Sequence, residues 1–165
     1  MLYLLTSGNN AIQSLVNSQK PLIDSIQNFT GNKPSRCFHP NTIIPLKNNT
    51  FKNIKDIKLN DVLLDGTIVE GTMILKNYDN NNKQINNLYQ LFNNDGSYTL
   101  VTGKHLVYHN NDWIYVESHP KALLTVISSK IVYCLITNNH TITIKDYIFH
   151  DWEDNDGMPN KDVKM

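Results

Sequence analysis

Arg36-Cys37-Phe38-His39-Pro40-Asn41-Thr42 divides the chain into two parts of different character. On its amino side, Ile12, Leu15, Val16, Leu22, Ile23, Ile26 and Phe29 recur at helical spacing, which predicts an α-helical segment over about 8–30. Ser7 to Asn10 can cap its start, Pro21 kinks it and Gly31 ends it. Asn32 to Arg36 then reads as a linker, extended before Pro34 and open to a nucleophile. On the carboxyl side the pattern changes to short apolar runs separated by turns, among them Asp65-Gly66 and Asn93-Asn94-Asp95-Gly96. About ten short strands with close turns and no intervening helical pattern predict an all-β fold with antiparallel pairing. Phe51 to Ile57 reads as an alternating strand, and Ser118 to Leu123, with Pro120 inside it, as irregular chain. The expected organisation is a helical segment and linker over 1–36, a β domain over 37–152, and an acidic tail over 153–165 without apolar periodicity.

Composition narrows the function classes. At 165 residues the chain can bury one sizeable core. Fifteen basic residues balance fifteen acidic ones, so no electrostatic footprint for nucleic acid is expected. The opening run Met1 to Leu5 is too short to cross a bilayer, and no other segment reaches spanning length. The chain is expected to be soluble, with no membrane span. Two cysteines, Cys37 and Cys134, are too few for a disulfide scaffold, which favours a reducing compartment, although they can close one bridge. The asparagine and lysine bias suits an AT-rich genome, such as that of a large DNA virus or a protist, and is given no functional weight.

A lone cysteine is usually a small buried hydrophobe. Cys37 differs in position, since it follows a linker and begins the β region. There its thiol can attack the carbonyl of Arg36 and exchange an amide for a thioester. That step is uphill, so it needs a strained peptide, a proton for the nitrogen and a hold on the oxygen. Thr102-Gly103-Lys104-His105 offers a hydroxyl and an imidazole on a tight turn. The expected roles are hydroxyl to the carbonyl and imidazole to the nitrogen. The spacing of Cys37, His39, His105 and His109 fits no common zinc pattern, so neither metal nor cofactor is expected. His119 reads as a loop residue, and Trp113 and Trp152 as core or lid residues.

Several blocks, in order along the chain, carry a resemblance. Cys37 to Ile44 resembles the opening block of the Hint superfamily, which includes inteins and hedgehog autoprocessing domains, and Ile54 to Leu63 resembles its second strand. Leu100 to Val107 is similar to its Thr-x-x-His block. Tyr133 to Ile142 and Tyr147 to Asp151 are similar to its closing blocks. The resemblance spans roughly 37–152 and implies a horseshoe of short antiparallel strands. It also implies that Cys37 is the nucleophile of an N-to-S acyl shift at the Arg36–Cys37 bond, with Thr102 and His105 straining and polarising that bond. His140 and His150 match histidines that assist cleavage at the far end in inteins.

Departures from the family pattern shape the expectation. Asp151 stands where inteins carry the cyclising asparagine, Trp152 where they carry a Cys, Ser or Thr acceptor, and Cys134 where many carry an aspartate. No aspartate around Ile74 to Asp79 matches the one that activates cholesterol. The implied activity is single-turnover autoproteolysis at Arg36–Cys37 without splicing or sterol transfer, the chain's own N-terminal segment being the substrate and water or a small nucleophile the acceptor. The rival reading is a Hint-fold interaction module in which Cys37 is slow or idle, docked to a protein partner or oligomer through helix 8–30.

Overall fold

The computed structural model describes residues 35–152 and the backbone of residues 2–4. The helical segment expected over 8–30, the residues before Ser35 and the tail over 153–165 lie outside the described residues. The strands are β1 (Leu2–Leu4), β2 (Ile43–Pro45), β3 (Phe51–Asn53), β4 (Val69–Lys76), β5 (Leu88–Phe92) and β6 (Tyr98–Thr102), followed by β7 (Leu106–His109), β8 (Asp112–Tyr115), β9 (Ala122–Leu124), β10 (Ile131–Thr137), β11 (Thr141–Ile144) and β12 (Tyr147–His150). The only helical pieces among the described residues are two single 3-10 turns, Ile54–Asp56 and Val116–Ser118. The strands form three larger sheets, ordered β1-β4-β10, β6-β5-β9 and β11-β12-β7-β8, and the small ribbon β2-β3. Pairing between them is antiparallel, as the density of turns leads one to expect.

Two local expectations are corrected. Ile54 to Ile57 leaves the strand and closes a 3-10 turn, with the Ile57 amide on the Ile54 carbonyl. The two isoleucines are three apart, so a three-residue turn sends both side chains to the core, where each is buried. Conversely, part of the supposedly irregular 118–123 enters a strand. Ala122 to Leu124 pairs with β5, while Leu123 and Leu124 remain exposed, so no alternating burial announces that strand.

The asparagine bias has a local structural use. Asn49, Asn60, Asn82, Asn110 and Asn111 all have positive φ, between 50° and 67°. Asparagine tolerates this left-handed conformation better than most residues. Gly66 and Gly96 supply two further turns, at φ 91° and 83°.

Two apolar clusters form the core. The larger gathers Phe38, Ile44, Leu63, Val101, Leu135, Ile142 and Phe149. The smaller surrounds the two cysteines with Met73, Leu75, Leu88 and Val132, and Trp152 packs against it. β10 separates and joins the two. Its Tyr133 and Leu135 belong to the first cluster, and its Val132 and Cys134 to the second, as alternation along a strand buried on both faces requires. No helix among the described residues is long and apolar enough to cross a membrane.

Candidate active site around the Arg36–Cys37 peptide bond

The segment read as an open linker is buried at its carboxyl end. Ser35 and Arg36 are 5% and 7% exposed, and Cys37 is fully buried. The cause is backbone pairing. Phe38 exchanges two hydrogen bonds with Tyr133 of β10, at 2.7 and 2.9 Å, while the His39 amide donates to Leu100 and the Thr102 amide to the Cys37 carbonyl. Residues 37–39 thus lie as an extended inner segment between β6 and β10, and the peptide bond before Cys37 is drawn into the core.

Thr102 ends β6 and interrupts this ladder with its side chain. Its Oγ1 accepts the Cys37 amide proton at 3.0 Å and donates its own to the Ser35 carbonyl at 2.7 Å. The expectation placed this hydroxyl on the Arg36 carbonyl. Instead it holds the nitrogen of the Arg36–Cys37 bond and the carbonyl one residue upstream. Gly103 makes the turn possible by its lack of a side chain, since a Cβ there would lie 2.6 Å from the Tyr89 ring and 2.9 Å from the Glu117 carboxylate.

His105 leaves that turn fully buried. Its ring lies 4.5 Å from the Phe38 ring and 5.4 Å from that of Phe149, centroid to centroid. Burial in this apolar cage dominates and lowers the imidazole pKa to about 3, aided by the Arg36 charge and opposed by hydrogen bonding to the backbones of His150 and Cys37. The ring is therefore neutral at pH 7. Nε2 lies 2.8 Å from the His150 carbonyl, an acceptor only, so Nε2 carries the proton. Nδ1 keeps a lone pair and has no hydrogen-bond partner of normal geometry among the described residues.

The remaining expected site residues adjoin this group through the carboxyl end of the domain. His150 is fully buried, with its ring against Trp113 at 5.2 Å and its Nδ1 3.2 Å from the Asp151 carbonyl. The Asp151 carboxylate is also buried. It accepts from the Thr137 amide at 2.7 Å and hydroxyl at 3.2 Å, and lies 3.4 Å from Nδ1 of the half-exposed His140. His140 sits at positive φ, 62°, in the turn between β10 and β11. Cys37, Thr102, His105, His150, Asp151 and His140 thus follow one another in a continuous polar track. His119, expected in a loop, is buried beside His109 and Tyr147. Among the described residues no three His, Cys, Asp or Glu side chains converge on a metal position.

Sequence reasoning missed one part of the arrangement. Asn77 and Asn86 bracket the asparagine-rich loop and are both buried. The Asn86 side-chain oxygen accepts from the Ser35 amide at 3.0 Å. Asn86 donates in turn to the side-chain oxygen of Asn77, through its backbone at 2.9 Å and its side chain at 3.0 Å. Asn77 donates to the carbonyls of Asn86 and Ser129. Ser35 is therefore gripped at its amide by Asn86 and at its carbonyl by Thr102. No spacing distinguishes these two asparagines from their many neighbours.

Comparison with known proteins gives one consistent answer at the level of fold. No family model matches the sequence, and no curated protein does. Solved intein structures do match. The crystal structure of the gp41-1 intein is 14% identical, with a TM-score of 0.53, and the match covers 71% of this chain and 99% of that one. The DnaB intein from Synechocystis sp. PCC 6803 is 13% identical, with a TM-score of 0.53, covering 72% of this chain and all of that one. The MchDnaB-1 intein is similar at 14% identity and a TM-score of 0.52. Identity at this level speaks for architecture alone, and the antiparallel strands and the inner segment at Cys37 agree with it: the described body of this chain has the Hint-type fold of the intein structures.

Proposed function

We propose that this domain cleaves its own chain at the Arg36–Cys37 bond through an N-to-S acyl shift, without splicing. The observation that carries this reading is the grip on that bond. Thr102 Oγ1 holds the Cys37 nitrogen, and Ser35 is fixed on both sides, whereas a mere connector would lie in solvent. Cys37 Sγ attacks the Arg36 carbonyl carbon. The thiol proton passes to the free lone pair of the neutral His105 and from there to the departing Cys37 nitrogen as the C–N bond breaks. The product is a thioester at Arg36 and a free amine at Cys37. Water or a small nucleophile then takes the acyl group, releasing the segment that ends at Arg36 and regenerating the thiol. The first step is intramolecular and proceeds in a buried site, while the second needs the thioester to meet solvent.

Asp151 and Trp152 support the absence of splicing, since a carboxylate lacks the amide nitrogen that cyclises and an indole cannot accept an acyl group. The test is mass spectrometry of the full chain incubated with hydroxylamine or dithiothreitol. The expected result is a fragment ending at Arg36 from the wild type and none from Cys37→Ala. A chain that stays intact with both reagents refutes the proposal.

A further inference from the structure

Phe38 and Tyr133 exchange both of their backbone hydrogen bonds, which makes them a hydrogen-bonded pair of an antiparallel ladder. The next pair along such a ladder is not hydrogen-bonded. Its Cα atoms approach to about 4.5 Å and its side chains share a face. Here that pair is Cys37 and Cys134, one residue before Phe38 and one after Tyr133. The two are fully buried, in the same apolar cluster, and both are free thiols. They are also the only cysteines in the chain. A disulfide requires Cα atoms between about 4.4 and 6.8 Å apart, a window this ladder position meets without moving the backbone.

We propose that Cys37 and Cys134 form a redox couple, a dithiol that a low-molecular-weight disulfide such as oxidised glutathione closes into a cross-strand bridge. The Cys37 thiol loses its proton and attacks one sulfur of the oxidant, releasing the first glutathione thiol and leaving a mixed disulfide. Cys134 loses its proton and attacks Cys37 Sγ, releasing the second. Two electrons and two protons pass to the oxidant, which ends as two thiols. Burial, the neighbouring Cys37 and the Asp151 charge push the Cys134 thiol well above its usual range. This suits Cys134 to the second step, which proximity accelerates, rather than to capture of a reagent from solution. With both sulfurs buried and Trp152 packed on their cluster, closure and reopening need local opening and are slow. In the bridged form Cys37 has no thiol to offer Arg36. That consequence rests on the autoprocessing reading, whereas the couple itself does not.

The test equilibrates the full chain with reduced and oxidised glutathione, quenches it in acid, and alkylates it under denaturing conditions. The expected result in the oxidised sample is a monomer lighter by two hydrogen atoms, with neither thiol alkylated and a proteolytic peptide pair linking Cys37 to Cys134. Dithiothreitol should restore both thiols. Two alkylatable thiols, or a glutathione adduct that never resolves, would overturn the proposal. Cys134→Ala, which lacks the resolving thiol, should stop at the mixed disulfide of Cys37 with glutathione, and a bridge between two chains in either protein would also count against the couple. If the reduced chain fails to cleave with hydroxylamine, the autoprocessing reading falls and the thiol count still decides the couple. If it does cleave, the oxidised chain should not.

Discussion

Neutral His105 inside an aromatic cage makes a quantitative claim about acid stability. Its pKa is about 3 in the folded chain against 6.5 when unperturbed. Between those values the unfolded chain binds a proton that the folded chain refuses, so stability falls as pH falls. Each pH unit well inside that window costs about 1.4 kcal/mol, and lowering the pH from 6.5, where the unfolded imidazole is already half protonated, to 4.5 costs about 2 kcal/mol through this residue alone. His105→Gln keeps an N–H that can reach the His150 carbonyl and removes the titration. Other groups with depressed values, His39, His119 and Asp65, add losses of the same sign in both proteins and cancel in the comparison. The assay is urea unfolding at several pH values, followed by tryptophan fluorescence, since Trp113 and Trp152 both pack within the fold. Wild type should lose about 2 kcal/mol more than the variant between pH 6.5 and 4.5. Equal losses would mean that His105 accepts a proton in the folded state as readily as in the unfolded one, and the claim that burial keeps the ring neutral would fail.

Two further predictions concern the grip on the bond. Thr102→Val removes one hydroxyl and leaves both the buried Cys37 amide and the Ser35 carbonyl unpaired. At about 1–3 kcal/mol for each group, the variant should melt roughly 5–15 °C lower in a calorimetric scan, and an unchanged melting temperature would contradict the geometry. Asn86→Ala frees the Ser35 amide and takes a donor from Asn77, at a cost of about 1–3 kcal/mol. Hydrogen exchange should then quicken at Ser35 while the amide of Leu135, in the core of β10, stays protected.

The turns and the alternating runs made the all-β architecture legible, because Asp65-Gly66 and the Gly96 turn have few conformations open to them. The Thr-x-x-His block was legible as a site for a related reason, since a glycine turn brings its two ends together whatever surrounds it. What each end touches was not legible. Whether the Thr102 hydroxyl meets a carbonyl or a nitrogen depends on the depth to which residues 37–39 slide between β6 and β10, and no local pattern encodes that depth. β9 escaped notice because Leu123 and Leu124 are exposed and alternate with nothing. Asn77 and Asn86 were hidden by composition, as two buried hydrogen-bonding asparagines look like the five that only turn the chain. The pairing of Cys134 with Cys37 became visible once the register of Phe38 against Tyr133 was known.

β10 has a mechanical consequence. The inner segment enters the fold on Tyr133, and the chain leaves it on Thr137 and Leu135, which hold Asp151 and Trp152. At about 3.3 Å per residue, entry and exit lie within roughly 13 Å of each other along one strand. A pull between Ser35 and Trp152 is borne by these bonds together with those that Asn86, Leu100 and Thr102 make to residues 35–39.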